Sequence, residues 1–86
     1  MKGYYEILVA AHASRAIRSF DPMVARYVVD SLEYLSTDRE SGNVRTVDKE
    51  TGLVKVEMGD FDALCWVRDE EMRIIVLAVS QHGHPA

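Results

Sequence analysis

Leu53-Val-Lys-Val-Glu-Met-Gly-Asp-Phe-Asp-Ala-Leu-Cys-Trp-Val-Arg-Asp69, followed by Met72-Arg-Ile-Ile-Val-Leu-Ala-Val79, decides the fold. Its first part alternates with a period of two: Val54, Val56 and Met58 fall on one side of a strand, Lys55 and Glu57 on the other. Gly59-Asp60 then forms a turn, since glycine reaches positive φ without steric cost, and the chain returns with Phe61, Ala63, Cys65 and Val67 on one face. Asp69-Glu70-Glu71 is too polar for a sheet interior. The unbroken apolar run Ile74 to Val79 suits a central strand covered on both faces.

Working outward, Val44 to Val47 and Leu53 to Met58 read as a further hairpin across Asp48-Lys-Glu-Thr-Gly52, with Gly52 serving the turn. Ser36 to Asn43 has the small, polar composition of a crossover loop. Upstream, Asp21-Pro22 starts a helix: the aspartate accepts from orphan N–H groups, and proline at the first helical position gives up a donor that has no partner there. That helix runs to about Leu35 on a stripe of Val24, Val28, Leu32 and Leu35, with Tyr27 beside it. Ala13, Ala16, Ile17 and Phe20 recur at the spacing of an earlier helix, leaving Arg15 and Arg18 on the wet side. Tyr4 to Val9 is a short opening strand with Tyr5, Ile7 and Val9 on one side. The order is β-α-α-β-β-β-β, an α+β domain filling residues 1–86.

Composition narrows the function classes. With 86 residues and 48% hydrophobic side chains, one core is expected and two domains are excluded. No apolar run approaches the roughly 18–20 residues that span a bilayer, and the N-terminus lacks the pattern of a signal peptide, so the expected location is the cytoplasm with no membrane partner. The lone Cys65 cannot form an internal disulfide, and an apolar strand favours a buried, inert thiol. Net charge is −4; residues 1–42 carry five basic and six acidic groups, residues 43–86 five and eight. No basic stripe of the kind that drives phosphate binding by counterion release is present.

The order of elements, the length, and the strings Gly59-Asp-Phe-Asp-Ala-Leu-Cys-Trp-Val-Arg-Asp69 and Ile74-Ile-Val-Leu-Ala-Val79 resemble the RelE/ParE superfamily of type II toxin-antitoxin toxins. The resemblance implies a curved, mostly antiparallel sheet with two N-terminal helices packed on it, and a cognate antitoxin as partner. RelE-type members cleave messenger RNA on the ribosome without a metal; ParE-type members inhibit DNA gyrase. In the cleaving members, basic side chains on the sheet activate the ribose 2′-hydroxyl, steady the phosphorane and protonate the leaving oxygen. The placement of charge supplies most of such a rate.

Carried over by position, the resemblance puts Lys55 at the first of two basic strand positions, but Glu57 stands at the second and Asp62 where an arginine usually follows the aromatic. His82 sits at or next to the final arginine, and no tyrosine closes the chain. The catalytic set it implies is Lys55 for charge stabilisation, Glu57 as base, and His82, whose ordinary pKa is near neutrality, as acid or base. Arg45, Lys49 and His84 would contact RNA, and no cofactor or metal is implied.

Plainer readings stand beside these. Lys55, Glu57 and Asp62 also suit cross-strand pairing on a solvated face. The His82-x-His84 pair lacks a third ligand for zinc. Arg15, Arg18 and Arg26 suit ordinary wet helix faces. Leu64 and Trp66 share a face with Asp62, so a helix or a partner is expected to cover them. Three functions remain: a ribosome-dependent endoribonuclease toxin, a gyrase-binding module, or a non-toxic interaction protein.

Overall fold

The computed structural model describes residues 5–37 and 43–81. The chain runs β1 (Glu6–Val9), α1 (Ala11–Arg18), α2 (Pro22–Thr37), β2 (Asn43–Asp48), β3 (Leu53–Met58), β4 (Phe61–Arg68), a 3-10 turn (Asp69–Glu71) and β5 (Arg73–Gln81). The five strands form one sheet in the order β1-β5-β4-β3-β2. Three pairings are antiparallel; β1 joins β5 in parallel, Ile7 beside Ile74 and Val9 beside Val76. The order expected from the sequence is the order observed.

Both helices lie on one side of this sheet. The β1 chain passes directly into α1, its last pairing made by the Ala10 N–H donating to the Val76 carbonyl at 2.9 Å. α1 buries Ala13 and Ile17 on β5. Asp21 accepts from the Met23 N–H at 3.1 Å, which is the cap expected ahead of Pro22. The α2 stripe behaves as its spacing requires, with Val28, Leu32 and Leu35 buried. They close on Val56, Met58, Phe61, Ala63, Cys65, Ile74, Val76 and Val79 of the sheet. Phe20, between the helices, meets Phe61 at a ring distance of 5.1 Å and a tilt of 50°, a geometry worth ~0.5–1.5 kcal/mol beyond burial.

β5 departs from expectation in one respect. It is central and buries Ile74, Val76 and Val79, but Ile75, Leu77 and Ala78 are only half-buried, so helices cover one face and not two. The run looks continuous because a bulge breaks its alternation. Leu64 pairs with Ala78 and Cys65 with Val76, leaving Leu77 as the extra residue. Inward positions therefore step by two from Ile74 to Val76 and by three to Val79.

Two glycines set the hairpins. Gly59 adopts φ 63° in the β3–β4 turn, and Gly52 φ 82° before β3. Gly52 is held on three sides: its N–H donates to the Asp48 carbonyl at 3.0 Å, its carbonyl accepts from the Val67 N–H at 2.9 Å, and a Cβ would lie 2.5 Å from the Val67 oxygen. Only glycine fits there. The outer strand β2 carries a second irregularity between Thr46 and Asp48 that leaves Val47 exposed. Such a bulge blunts an edge that would otherwise invite pairing.

Candidate functional site

The sheet face turned away from the helices holds the sequence-predicted charges. Strand parity puts Arg45 of β2, Lys55 and Glu57 of β3 and Asp62 of β4 side by side there. In the ladder Arg45 stands opposite Lys55, and Glu57 opposite Asp62. Like charges directly opposite would destabilise the sheet, and the diagonals relieve this. The Arg45 guanidinium lies 3.5 Å from Glu57 Oε2, and Lys55 Nζ 3.6 Å from Asp62 Oδ2. Lys55 remains 43% exposed while Asp62 is 12% exposed. Asp62 Oδ1 is buried and finds no donor among the described residues.

The same face continues through Trp66 and Arg68 of β4 to Arg73 of β5 and Glu6 of β1. Arg68 pairs with Glu71 at 3.4 Å, and Arg73 bridges Glu6 at 3.3 Å and Glu71 at 3.7 Å. All four cations of the described open face are thus held by carboxylates. A phosphate approaching this surface meets positive groups that are already neutralised.

Neither models of protein families nor curated protein sequences match this chain, but solved structures do. It superposes on a chain of the RelBE2 toxin-antitoxin complex from Mycobacterium tuberculosis with a TM-score of 0.81, covering 98% of both chains at 18% identity. The archaeal RelE–RelB complex from Pyrococcus horikoshii gives 0.80 at 19% identity, covering 96% of this chain and 100% of that one. The fold is that of RelE. The isolated E. coli RelE toxin also matches, at 0.75 and 13% identity, over 96% of this chain and 88% of the toxin.

Within the RelE fold, the structure brings together Lys55, Glu57 and Arg45 and adds Asp62. It separates Lys49, which lies in the β2–β3 turn and lines a groove on the helix side with Leu35, Val44, Thr46, Val54 and Val56. His82 and His84 fall outside the described residues, so the expected constellation is seen only in its β2–β3 part. The groove encloses about 360 Å³.

Trp66 and Leu64, expected to need a cover, are half-buried on the open face. Trp66 is covered from within: its indole N–H donates to the Thr51 carbonyl, and the Arg68 guanidinium sits 4.7 Å above its ring. Sequence reasoning missed Arg68 in this role, although parity alone puts residues 66 and 68 on one face. Cys65 is fully buried, and desolvation pushes its thiol up to about 12. It is no nucleophile in the folded chain. Among the described residues no group of three or more His, Cys, Asp or Glu side chains is placed to hold a metal, and no helix is long and apolar enough to cross a membrane.

Proposed function

We propose that this chain is the toxin-side member of a type II toxin-antitoxin pair, acting in the cytoplasm, and that a small cognate antitoxin holds it inactive. What supports this reading is the RelE fold over 98% of both chains in a toxin-antitoxin complex. The groove that Leu35, Val44 and Val54 line together with Thr46, Asp48 and Lys49 gives such a partner a surface to fill. Released, the toxin stops translation by cutting messenger RNA on the ribosome.

In that reaction Glu57 takes the ribose 2′-hydroxyl proton and Lys55 offsets the charge that builds on the phosphorane. His82 protonates the departing 5′-oxygen, leaving a 2′,3′-cyclic phosphate. Arg45 and His84 contact the RNA backbone, while Lys49, set apart at the helix-side groove, does not. The charge pairing on the sheet does not bar this. At 3.5 Å and partly exposed, the Arg45–Glu57 pair is worth ~0–1 kcal/mol, and Lys55, itself 43% exposed beside the more buried Asp62, presents its ammonium to a bound phosphate.

The same pairing favours a second reading, a RelE-fold module that binds its antitoxin, or DNA gyrase, without cleaving RNA. Purified protein in a cell-free translation system separates the two. Catalysis predicts arrest, new 5′ ends within ribosome-bound messages, and a loss of about 10²-fold or more in Lys55→Ala. Intact messages with wild-type protein refute catalysis; a supercoiling assay then decides whether gyrase is the target.

A further inference from the structure

The net charge of this chain is concentrated at one end of the sheet. The β2–β3 turn, residues 48–52, and the 3-10 turn, Asp69–Glu71, hold five carboxylates and one lysine, while the rest of the sequence holds nine acidic and nine basic groups. These two turns therefore account for the whole formal charge of −4. They are neighbours in space, since the Gly52 carbonyl accepts from the Val67 N–H at 2.9 Å, close to the start of the 3-10 turn. Glu71 is neutralised by Arg68 and Arg73. Asp48, Glu50 and Glu70 meet no cation among the described residues. Between the two turns opens the groove of about 360 Å³, with Leu35, Val44, Val54 and Val67 in its lining and Asp48 and Asp69 contributed by opposite turns. Among the described elements α1 packs on β5, and α2 on α1 and β1, so the inner side of β2 lacks a helix of its own and Val44 is left 38% exposed.

We infer that this groove takes a basic amphipathic segment of a protein partner, its apolar side chains set on Val44 and Val54 and its lysines or arginines over the two acidic turns. Charge complementarity selects the occupant. Carboxylates repel phosphate, which excludes a nucleic acid, and they repel an acidic segment in the same way. Lys49 is the single countercharge within the two turns, and one ammonium does not reverse their sign. Acidic groups on both banks call for cations on both sides of an apolar stripe, an arrangement that a helix laid in a groove supplies. The volume lies within the range of about 300–1,000 Å³ in which clefts hold ligands. The inference rests on the reading above in one respect, that the partner is the antitoxin, and adds the chemistry of the segment it must present.

Two helical peptides with the same apolar stripe, one of leucine and lysine and one of leucine and glutamate, are the probes, titrated into the isotope-labelled full chain. The lysine peptide should shift the amide signals of Val44, Gly52 and Val54, and the glutamate peptide should bind at least about tenfold more weakly. Glu50→Lys/Glu70→Lys reverses one exposed carboxylate on each bank and should weaken the lysine peptide by at least about tenfold. Asp30→Lys/Asp60→Lys, an equal change of net charge placed away from the groove, should alter it by less than about twofold. Far-UV circular dichroism checks that each variant keeps its fold. Equal affinity for the two peptides, shifts confined to other residues, or equal losses in the two variants overturn the inference. Co-expression with the protein of the adjoining gene separates the antitoxin reading. A neighbour that copurifies with wild type and equally well with Glu50→Lys/Glu70→Lys overturns the groove assignment and leaves the toxin-antitoxin pair standing. No copurification with wild type, while the lysine peptide still seats in the groove, overturns the pair and leaves the groove to a different basic partner.

Discussion

Removing the two carboxylates from the open sheet face tests whether they are what silences it. Glu57→Gln together with Asp62→Asn keeps size and hydrogen-bonding capacity but releases Arg45 and Lys55 from partners at 3.5 and 3.6 Å. Each released cation can then neutralise one phosphate. For single-stranded RNA, log affinity falls with log salt by about 0.7 per phosphate neutralised, so two new contacts steepen the slope by about 1.4. Between about 50 and about 200 mM KCl the variant should therefore lose about sevenfold more affinity than the wild type. The fold should tolerate the change: the partly exposed Arg45–Glu57 pair is worth ~0–1 kcal/mol, and at the more buried position 62 a neutral amide costs less to bury than a carboxylate with an unsatisfied oxygen. Fluorescence anisotropy of a labelled single-stranded RNA over a salt series measures the slope directly. Adding Arg45→Ala and Lys55→Ala to the double variant should return it to the wild-type value. A slope unchanged in the double variant, or a wild type already as steep, would show that the carboxylates do not neutralise this surface.

Two further outcomes follow from the interior. Gly52→Ala should destabilise the chain by roughly 2–4 kcal/mol, since positive φ costs about 1–2 kcal/mol and the added Cβ must also disturb the Val67 N–H bond to the Gly52 carbonyl. Gly59→Ala should cost only about 1–2 kcal/mol, because the atom it meets is the swinging tip of Tyr27; urea unfolding that ranks the two equally would contradict this account. Cys65 should resist a thiol reagent at pH 8 until the chain unfolds, and rapid labelling of folded protein would contradict the burial argument. Its protonated folded form also predicts a pH dependence: the stabilisation is complete below the ordinary thiol pKa of 9.0 and drains away as pH rises towards about 12, because the unfolded thiol ionises first.

What the sequence made legible was whatever depends on local periodicity. The alternation from Leu53 to Val67, the Gly59 turn, the Asp21-Pro22 cap and the Val28, Leu32 and Leu35 stripe each involve neighbours a few residues apart, and each lies where its spacing puts it. The parallel union of β1 with β5 was not readable, since Ile7 and Ile74 meet only through the whole intervening chain. The Leu77 bulge was hidden by composition: every residue from Ile74 to Val79 is apolar, so a one-residue slip leaves no polar mark. For the site, parity put Lys55, Glu57 and Arg45 on one face, but which carboxylate reaches which cation depends on register between strands. That is why Asp62 appeared as an inverted charge in sequence and proves in structure to be the partner of Lys55.

Register also explains how the RelE fold persists at 18% identity while the charge of the sheet face is left free to vary. The core asks of Ala63, Cys65, Ile74 and Val76 only that they be apolar, of suitable volume, and on the inward beat of each strand, a demand many sequences meet. The open face has no such demand beyond avoiding like charges in contact. Diagonal pairs such as Lys55 with Asp62 satisfy that rule as well as an all-basic surface stabilised by bound phosphate would. A fold likeness therefore carries the position of the sheet face but not its potential. On this chain the potential is set by Glu57, Asp62, Glu71 and Glu6. The RNA cleavage proposed above requires phosphate to displace carboxylates from Lys55 and Arg45, a competition that for the partly exposed Arg45–Glu57 pair costs only ~0–1 kcal/mol.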